Sequence, residues 1–356
     1  MNFASDNTTG ASETILKAVI AANAGAVAAY GNDPFTAKAA RLLCATFERD
    51  LSCFLLSTGT AANALALGAI APPYGAIFCH PQAHIMEDEC GAPEMFTGGA
   101  KLIGVAGPAG KISAAAFKGV LPAFPRGVEK QVQPAALSLS QVTESGTVYS
   151  CEELSLLASL AHNAGLLVHM DGARFANALL ALGCTPAEMS WKAGVDVLSF
   201  GATKNGALGC EAVLFFDNAR AASMPYLRKR SGHTLSKGRF LGAQLAAYLE
   251  KGHWLALAAA ANGHAQKLAE GLAKIPGVRL PWPCEANEVF AILPGHIDSA
   301  LQAAGAVYYP WTFHPAAGEC APPRKDEIFV RLATSFATTP DEVNRFLAAA
   351  SAAAGR

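Results

Sequence analysis

Two residues with reactive side chains, Asp171 and Lys204, each follow a short apolar run of the sequence. If the two runs are neighbouring strands of an α/β sheet, both side chains stand at its carboxyl edge, where ligands of such sheets bind. A lysine at the end of a core strand is partly desolvated, and burial favours the neutral amine that attacks a carbonyl carbon. A carboxylate at the same edge could pair with a protonated ring nitrogen. The sequence alone leaves two other interpretations open: Asp171 caps the next helix, and Lys204 is a surface lysine in a loop.

The segment 57–63, Ser-Thr-Gly-Thr-Ala-Ala-Asn, lies between another apolar run and an alanine-rich stretch that favours a helix. Gly59 lets the backbone approach an anion, and the free N–H groups of a helix N-terminus favour phosphate, with the Thr60 hydroxyl nearby. A plain helix cap is the alternative. No Walker A loop and no Gly-x-Gly-x-x-Gly motif occurs, which counts against a P-loop NTPase and a Rossmann dehydrogenase.

A third candidate is the pair His84 and Asp88, which would share one face of a helix. An imidazole can stack on a planar cofactor, and a nearby carboxylate can hold a proton or a water molecule. A metal pair is the alternative, but His-Glu-x-x-His is absent and no further ligand is predictable, so we predict no metal site.

Arg331 lies inside the apolar segment 329–332. An arginine within an apolar strand needs an anionic partner. The guanidinium fork suits a substrate carboxylate, which it would bind through two parallel hydrogen bonds. A structural salt bridge is the alternative.

Seven apolar runs of strand length would position these residues. They are apolar throughout rather than alternating, which is typical of strands buried on both faces of a sheet that helices cover. Because helical segments separate several of them, we predict an α/β fold with a mostly parallel seven-stranded sheet. The runs are 53–56, 76–79, 101–105, 136–139, 166–170, 195–200 and 212–216.

Further patterns divide the chain. Capping boxes at Ser150 and Thr339 predict the starts of two helices. After about residue 250 a long helical pattern and shorter elements punctuated by prolines favour a smaller α+β domain. We therefore predict an N-terminal arm over residues 1–12, a large domain over 13–250 and a small C-terminal domain over 251–356.

Composition excludes several classes of function. The chain has 356 residues, of which 52% are hydrophobic and only 15% charged, so part of its surface is expected to be buried between subunits. A net charge of -1 argues against nucleic acid or an anionic membrane as the main partner. No charged-then-apolar N-terminal signal and no apolar run of about 18 residues is present, so we expect a cytoplasmic protein.

Taken together, these motifs resemble the threonine aldolases, in the β-eliminating-lyase group of fold-type-I enzymes that depend on pyridoxal 5′-phosphate (PLP). The low-specificity L-threonine aldolases, which also act on phenylserine-type substrates, are the most similar group. The resemblance implies retro-aldol cleavage of L-threonine, L-allo-threonine and related β-hydroxy-α-amino acids to glycine and an aldehyde, and the reverse addition. The matching positions span nearly the whole chain: 5–7, 30–33, 58–63, His84, 171–174, Thr203, Lys204 and Arg331.

The resemblance also implies a role for each matching residue. Lys204 forms the Schiff base with PLP, Asp171 keeps the pyridine nitrogen protonated so that the ring draws electrons, and His84 stacks on the ring face. The other residues implied to bind the cofactor are Gly59, Thr60, Asn63, Arg174, Thr203, Lys229 and Arg239. The residues implied to bind the substrate are Ser5, Tyr30, Arg174 and Arg331. Tyr30 and the segment with Lys229 and Arg239 resemble parts that reach the site from a neighbouring subunit, and the family is usually a dimer of dimers, which implies a homotetramer.

One position departs from the family pattern. Some members carry a second active-site histidine in the segment that matches residues 141–146, where this chain has Glu144. We hypothesise that His84, helped by Asp88 or through a water molecule, handles the proton of the substrate hydroxyl. Full retro-aldol rates in both His84→Ala and Asp88→Ala would contradict this hypothesis.

Other reactions on the same cofactor are the nearest alternatives: an aminotransferase, a serine hydroxymethyltransferase or a β-eliminating lyase. A regulatory or scaffold protein that binds PLP without turnover is the alternative from another class. The clustering of carboxylate-binding candidates beside Lys204 argues against it.

Overall fold

The computed structural model describes residues 1–314 and 320–355. All seven predicted apolar runs form strands, and they make up one sheet in the order β1-β7-β6-β5-β4-β2-β3. The strands of this sheet are β1 (Ser52–Leu56), β2 (Gly75–Cys79), β3 (Lys101–Gly104), β4 (Gln133–Ser140), β5 (Leu167–Gly172), β6 (Val197–Gly201) and β7 (Glu211–Phe215). The predicted fold class is confirmed.

The sheet is parallel from β3 to β6, and only β7 runs against its two neighbours, β1 and β6. Every residue of β2, β6 and β7 is buried. Burial on both faces explains why these strands are apolar throughout instead of alternating. Because β1, β5 and β6 point the same way, their carboxyl ends meet at one edge of the sheet.

Helices cover both faces of this sheet and continue into the C-terminal part of the chain. The helices up to residue 200 are α1 (Glu13–Ala22), α2 (Pro34–Thr46), α3 (Gly59–Ile70), α4 (His84–Glu87), α5 (Ala92–Thr97), α6 (Ala114–Val120), α7 (Cys151–Asn163) and α8 (Phe175–Leu182). The later helices are α9 (Met224–Arg230), α10 (Arg239–Leu249), α11 (His253–Leu272), α12 (Gly295–Ala303) and α13 (Pro340–Ala354).

Local sequence signals account for several of these helix starts. The Ser150 and Thr339 side chains each accept a hydrogen bond from the third helical N–H, and the glutamate at that position bonds back to the cap. Both predicted capping boxes are therefore confirmed. The Asp33 side chain caps α2 by accepting from Thr36 N, with Pro34 at the first helical position.

A second sheet, in the order β8-β10-β9, lies in the C-terminal part of the chain. Its strands are β8 (Glu288–Pro294), β9 (Tyr309–Pro310) and β10 (Glu327–Ala333). The N-terminal arm packs against this part: Phe3 is fully buried, its ring meets that of Phe346 edge to face, and its N–H donates to Val307 O over 2.8 Å. The start of the chain, which we predicted as an irregular arm, is thus tied to the C-terminal sheet. The predicted domain boundaries at residues 12 and 250 stay predictions.

A membrane-spanning helix would need a long apolar stretch, and no helix in the described part of the chain has one.

Candidate active site

The carboxyl edge of the large sheet opens into a cavity of about 300 Å³. Asp171 lies near the end of β5, Lys204 lies in the short 3₁₀ turn after β6, and Gly59 begins α3 after β1. The structure brings eight of the predicted site residues to this cavity: Gly59, Thr60, Asn63, His84, Asp171, Arg174, Thr203 and Lys204.

One wall of the cavity is a network of direct side-chain hydrogen bonds, which we call the ring-side network (Asn63, His84, Glu89 and Asp171). The Asn63 amide nitrogen donates to Asp171 Oδ2 and to Glu89 Oε1, each over 2.8 Å. Glu89 Oε1 also lies 2.8 Å from His84 Nδ1. The other Asp171 oxygen accepts from the backbone N–H of Ala173. Every member is therefore fixed by at least one other.

The network sets the protonation of its members. Burial raises the pKa of Asp171, but the charges of His84, Lys204 and His169 and the hydrogen bond from Ala173 together lower it by more, so Asp171 stays ionised. The hydrogen bond with Glu89 raises the pKa of His84, whereas burial raises the pKa of Glu89 itself. Both shifts favour a proton held between Glu89 and His84 Nδ1.

The segment 57–63, the candidate phosphate-binding turn, leads into the helix that its sequence favours. The Thr58 side chain caps α3 by accepting from Ala61 N, and α3 runs for 12 residues. Beyond Gly59's own chain neighbours and helix turn, no atom of residues 1–314 and 320–355 lies within 4 Å of the position that a Cβ on Gly59 would take, so the backbone there is open to a ligand. Thr203 stands nearby in the cavity wall, and its hydroxyl accepts from Cys210 N over 3.1 Å.

A second group of charges, which we call the arginine cluster (Asp6, Arg174, Glu288 and Arg331), begins at the cavity and reaches into the C-terminal sheet. Arg174 grips Asp6 with two hydrogen bonds of 2.7 and 3.1 Å and lies 3.1 Å from Glu288 Oε2. Arg331 lies 3.6 Å from the other Glu288 oxygen, and its guanidinium stacks over Trp311 at 4.1 Å. Although burial raises the pKa of Asp6, the charge of Arg174 holds it down at about 2.

Two more carboxyl groups line the cavity, and both are shifted by burial. Burial raises the pKa of Glu144 to about 7 and that of Glu211 to about 7. Glu144 Oε1 accepts from His84 N and from the Ser140 hydroxyl. Glu211 accepts from Ala202 N beside Thr203.

Six predicted residues lie outside this cavity. Asp88 is exposed, since α4 ends at Glu87, and the carboxylate that reaches His84 is Glu89. The backbone spacing that paired His84 with Asp88 is present, since Asp88 N donates to His84 O over 2.9 Å, but the Asp88 side chain is exposed. The Ser5 hydroxyl accepts a hydrogen bond from Asn7 N, and Arg331 forms an ion pair with Glu288. Lys229 Nζ lies 5.2 Å over the half-exposed Tyr30 ring. Arg239 donates to backbone carbonyls at the end of α1.

Sequence reasoning did not single out Asp6, Glu89, Glu211 or Glu288 as site residues. Each is a buried acid, and burial of an acid is itself a signal of a partner, but only the fold identifies that partner. Within residues 1–314 and 320–355, no group of three or more His, Cys, Asp or Glu side chains is arranged to hold a metal ion.

The comparisons with known proteins each match most of this chain. The family model of the β-eliminating lyases matches residues 2–294. The low specificity L-threonine aldolase of Pseudomonas aeruginosa is 44% identical over 89% of this chain and 90% of its own length. A solved structure of Leishmania major threonine aldolase superimposes with a TM-score of 0.90 at 29% identity, covering 99% of both chains. A structure of SPT with PLP has a TM-score of 0.70 at 16% identity over 99% of this chain and 87% of its own, a likeness of fold alone.

Proposed function

The chain belongs to the β-eliminating lyase family, and from that membership we propose that it is a PLP-dependent, low-specificity L-threonine aldolase. It cleaves L-threonine, L-allo-threonine and related β-hydroxy-α-amino acids such as phenylserine to glycine and an aldehyde, and runs the reverse addition. The observation that carries the proposal is the single cavity shared by Lys204, Asp171 and the open turn at Gly59.

The residues of the cavity fit PLP. Asp171 is a buried, ionised carboxylate fixed by Asn63 and Ala173, as a partner for a protonated ring nitrogen must be. Gly59 and Thr60 offer an open helix N-terminus for a phosphate, with Thr203 beside them. Lys204 supplies the amine that binds the cofactor's aldehyde carbon. When bound, PLP withdraws the electron pair of a bond to the substrate's α-carbon.

The substrate carboxylate belongs at the arginine cluster. Arg174 lines the cavity. Arg331 does not line it, but both arginines form an ion pair with Glu288. We assign the carboxylate to Arg174 and Arg331 with help from Ser5, whose neighbour Asn7 lines the cavity. Clamping the carboxylate would fix the orientation of the substrate's α-carbon in the cavity, and would thereby select which of its bonds is broken.

The remaining predicted residues act across a subunit boundary in this proposal. Tyr30 is 52% exposed and lies against Lys229, away from the cavity of its own chain. We propose that Tyr30, Lys229 and Arg239 serve the cavity of a neighbouring subunit in a cytoplasmic homotetramer. Size-exclusion chromatography with light scattering measures the assembly, and a monomer would contradict this part.

Two measurements test the function itself. The purified protein should absorb as a lysine-bound PLP enzyme, and borohydride should fix the cofactor to Lys204, as peptide mapping would report. Threonine should then yield equal amounts of glycine and acetaldehyde. A label on another lysine would overturn the site. Release of ammonia or a keto acid would favour a β-eliminating lyase or an aminotransferase, and a bound cofactor without turnover would favour a binding protein.

A further inference from the structure

Glu144 stands out among the groups that line the cavity because its carboxyl is half satisfied. Its Oε1 accepts two hydrogen bonds, from His84 N over 2.8 Å and from Ser140 Oγ over 2.7 Å. Its Oε2 is shielded from solvent and has no hydrogen-bond partner among the described residues. A buried oxygen without a partner is costly, so such a group commonly has a functional reason. The two bonds to Oε1 fix the carboxyl at the cavity wall.

The other acids and bases of the cavity are already engaged. Asp171 has both oxygens bonded and a lowered pKa, which makes it a poor proton acceptor. His84 is held at Nδ1 by Glu89, and the raised pKa of His84 favours the imidazolium form, which has no lone pair to offer. Lys204 is assigned to the cofactor, and Glu211 is bonded beside Thr203.

We propose that Glu144 is the catalytic residue that accepts the proton of the substrate's β-hydroxyl group, an inference that rests on the function proposed above. The hydroxyl O–H bond breaks and a carboxyl O–H bond forms on Glu144. The oxygen's electrons then form the C=O bond of the aldehyde while the Cα–Cβ bond breaks and its electron pair passes to the α-carbon. The α-carbon later takes up one proton and Glu144 gives one up to solvent, so the products balance the substrate.

The surroundings of Glu144 suit this role. Groups that face it from the packed elements are Cys79 on β2, His84 on α4, Tyr149 before α7, Asp171 on β5 and Arg174 before α8. Desolvation is the main cause that brings the pKa of Glu144 to about 7. General acid–base catalysis is most efficient when the pKa lies near the working pH. The same group can thus take the proton in cleavage and return it in the aldol addition.

The test compares Glu144→Gln, Glu144→Asp and a matched control, Glu285→Gln, in the holoenzyme. Glu285 also accepts a backbone N–H from the segment after β4, that of Val148, but it does not line the cavity. Three readouts are needed: the absorption titration of PLP binding, the rate of threonine cleavage, and the exchange of the α-hydrogen of glycine in D₂O followed by NMR. The exchange reaction involves no β-hydroxyl group.

We expect Glu144→Gln to lower kcat for cleavage by about 10²- to 10⁴-fold, the usual contribution of a general base, and to leave PLP binding and glycine exchange close to the parent. Glu144→Asp should recover part of the rate, and Glu285→Gln should match the parent. In the parent, the cleavage rate should rise with pH through about 7 as Glu144 ionises, and Glu144→Gln should lack that rise.

Cleavage by Glu144→Gln at the rate of Glu285→Gln would overturn the inference. Loss of glycine exchange together with cleavage would also overturn it, because Glu144 would then support the whole site rather than the hydroxyl step. A parent that exchanges the glycine hydrogen but does not cleave threonine would instead overturn the proposed function, so the two failures are distinguishable.

Discussion

The ring-side network and the arginine cluster lie at the same cavity but are built differently. The network joins α3, α4 and β5 at the edge of one sheet, through three hydrogen bonds of 2.8 Å. The cluster joins the N-terminal arm, the start of α8 and two strands of the C-terminal sheet. Glu288 sits between its two arginines, and neither of its oxygens has a hydrogen-bond partner in the described chain.

The difference indicates which part of the site is complete before a substrate arrives. In the ring-side network each charged group already has a short, directed partner. In the arginine cluster two acids balance two arginines, and a substrate carboxylate would add a third negative charge. Such a carboxylate must compete with Glu288 for the two guanidinium groups. Each guanidinium can bind one carboxylate through two parallel hydrogen bonds, because its N–H groups form a planar fork. We infer that substrate binding rearranges the cluster and leaves the network as it is.

Arg174→Gln, in the arginine cluster, should lower stability more than any single change in the ring-side network. It leaves Asp6 and Glu288, both almost fully buried, without their main positive partner. Breaking a buried ion pair from one side costs about 3–5 kcal/mol. The free energy of unfolding, measured by urea denaturation of the holoenzyme, should fall by that amount, and KM for threonine should rise.

A double variant isolates the cause of that loss. Adding Asp6→Asn to Arg174→Gln removes one of the two stranded charges, so part of the lost free energy should return. If the double variant is less stable than the sum of the two single changes predicts, the Asp6–Arg174 contact is not a pair that stabilises the fold.

Glu89→Gln tests the ring-side network and should have a smaller effect. It removes the charge from the hydrogen bond to His84, and such bonds contribute about 1.5–3 kcal/mol. Because the hydrogen bond with Glu89 raises the pKa of His84, the bond adds stability below the ordinary pKa of histidine and loses it as the pH rises through the folded value of His84. The stability deficit of the variant should therefore be larger at pH 5 than at pH 8.

The NMR signals of the His84 imidazole measure the effect of Glu89→Gln independently of the unfolding experiment. In Glu89→Gln the pKa of His84, followed by NMR titration, should fall toward its ordinary value. An unchanged titration would mean that the Asp171 charge, rather than Glu89, raises the pKa of His84.

The same contrast explains what the sequence could predict. Apolar runs and caps are local signals, so the seven strands and the capping boxes at Ser150 and Thr339 follow from neighbours in the chain. The strand-end positions of Asp171 and Lys204 follow from the same signals. The roles assigned to these residues stay proposals, but their placement in one cavity is what strand order requires.

The partners in the arginine cluster carry no such local signal. Asp6 bonds to Asn287, 281 positions away, and Arg174 is 168 positions from Asp6. Their meeting depends on how the N-terminal arm packs against the C-terminal sheet, which no short pattern specifies. The sequence pattern also could not show that the carboxylate beside His84 is the buried Glu89 rather than the exposed Asp88, because burial depends on packing from distant parts of the chain.

Arg331→Lys should have the smallest effect and separates charge from shape in the cluster. Lysine keeps a positive charge near Glu288 but loses the flat guanidinium that stacks over Trp311 at 4.1 Å. Cation–π contacts of this kind contribute about 0.5–1 kcal/mol where they are partly exposed, so the free energy of unfolding should fall by that amount. KM for threonine should rise by more than stability alone explains, because an ammonium cannot bind a carboxylate through two parallel hydrogen bonds.

Arg331→Met is the matched variant: it removes the charge as well and should lower the stability further by leaving Glu288 with one arginine. If Arg331→Lys and Arg331→Met have equal stability, Glu288 depends on Arg174 alone, and the cluster is a three-residue unit to which Arg331 is only adjacent.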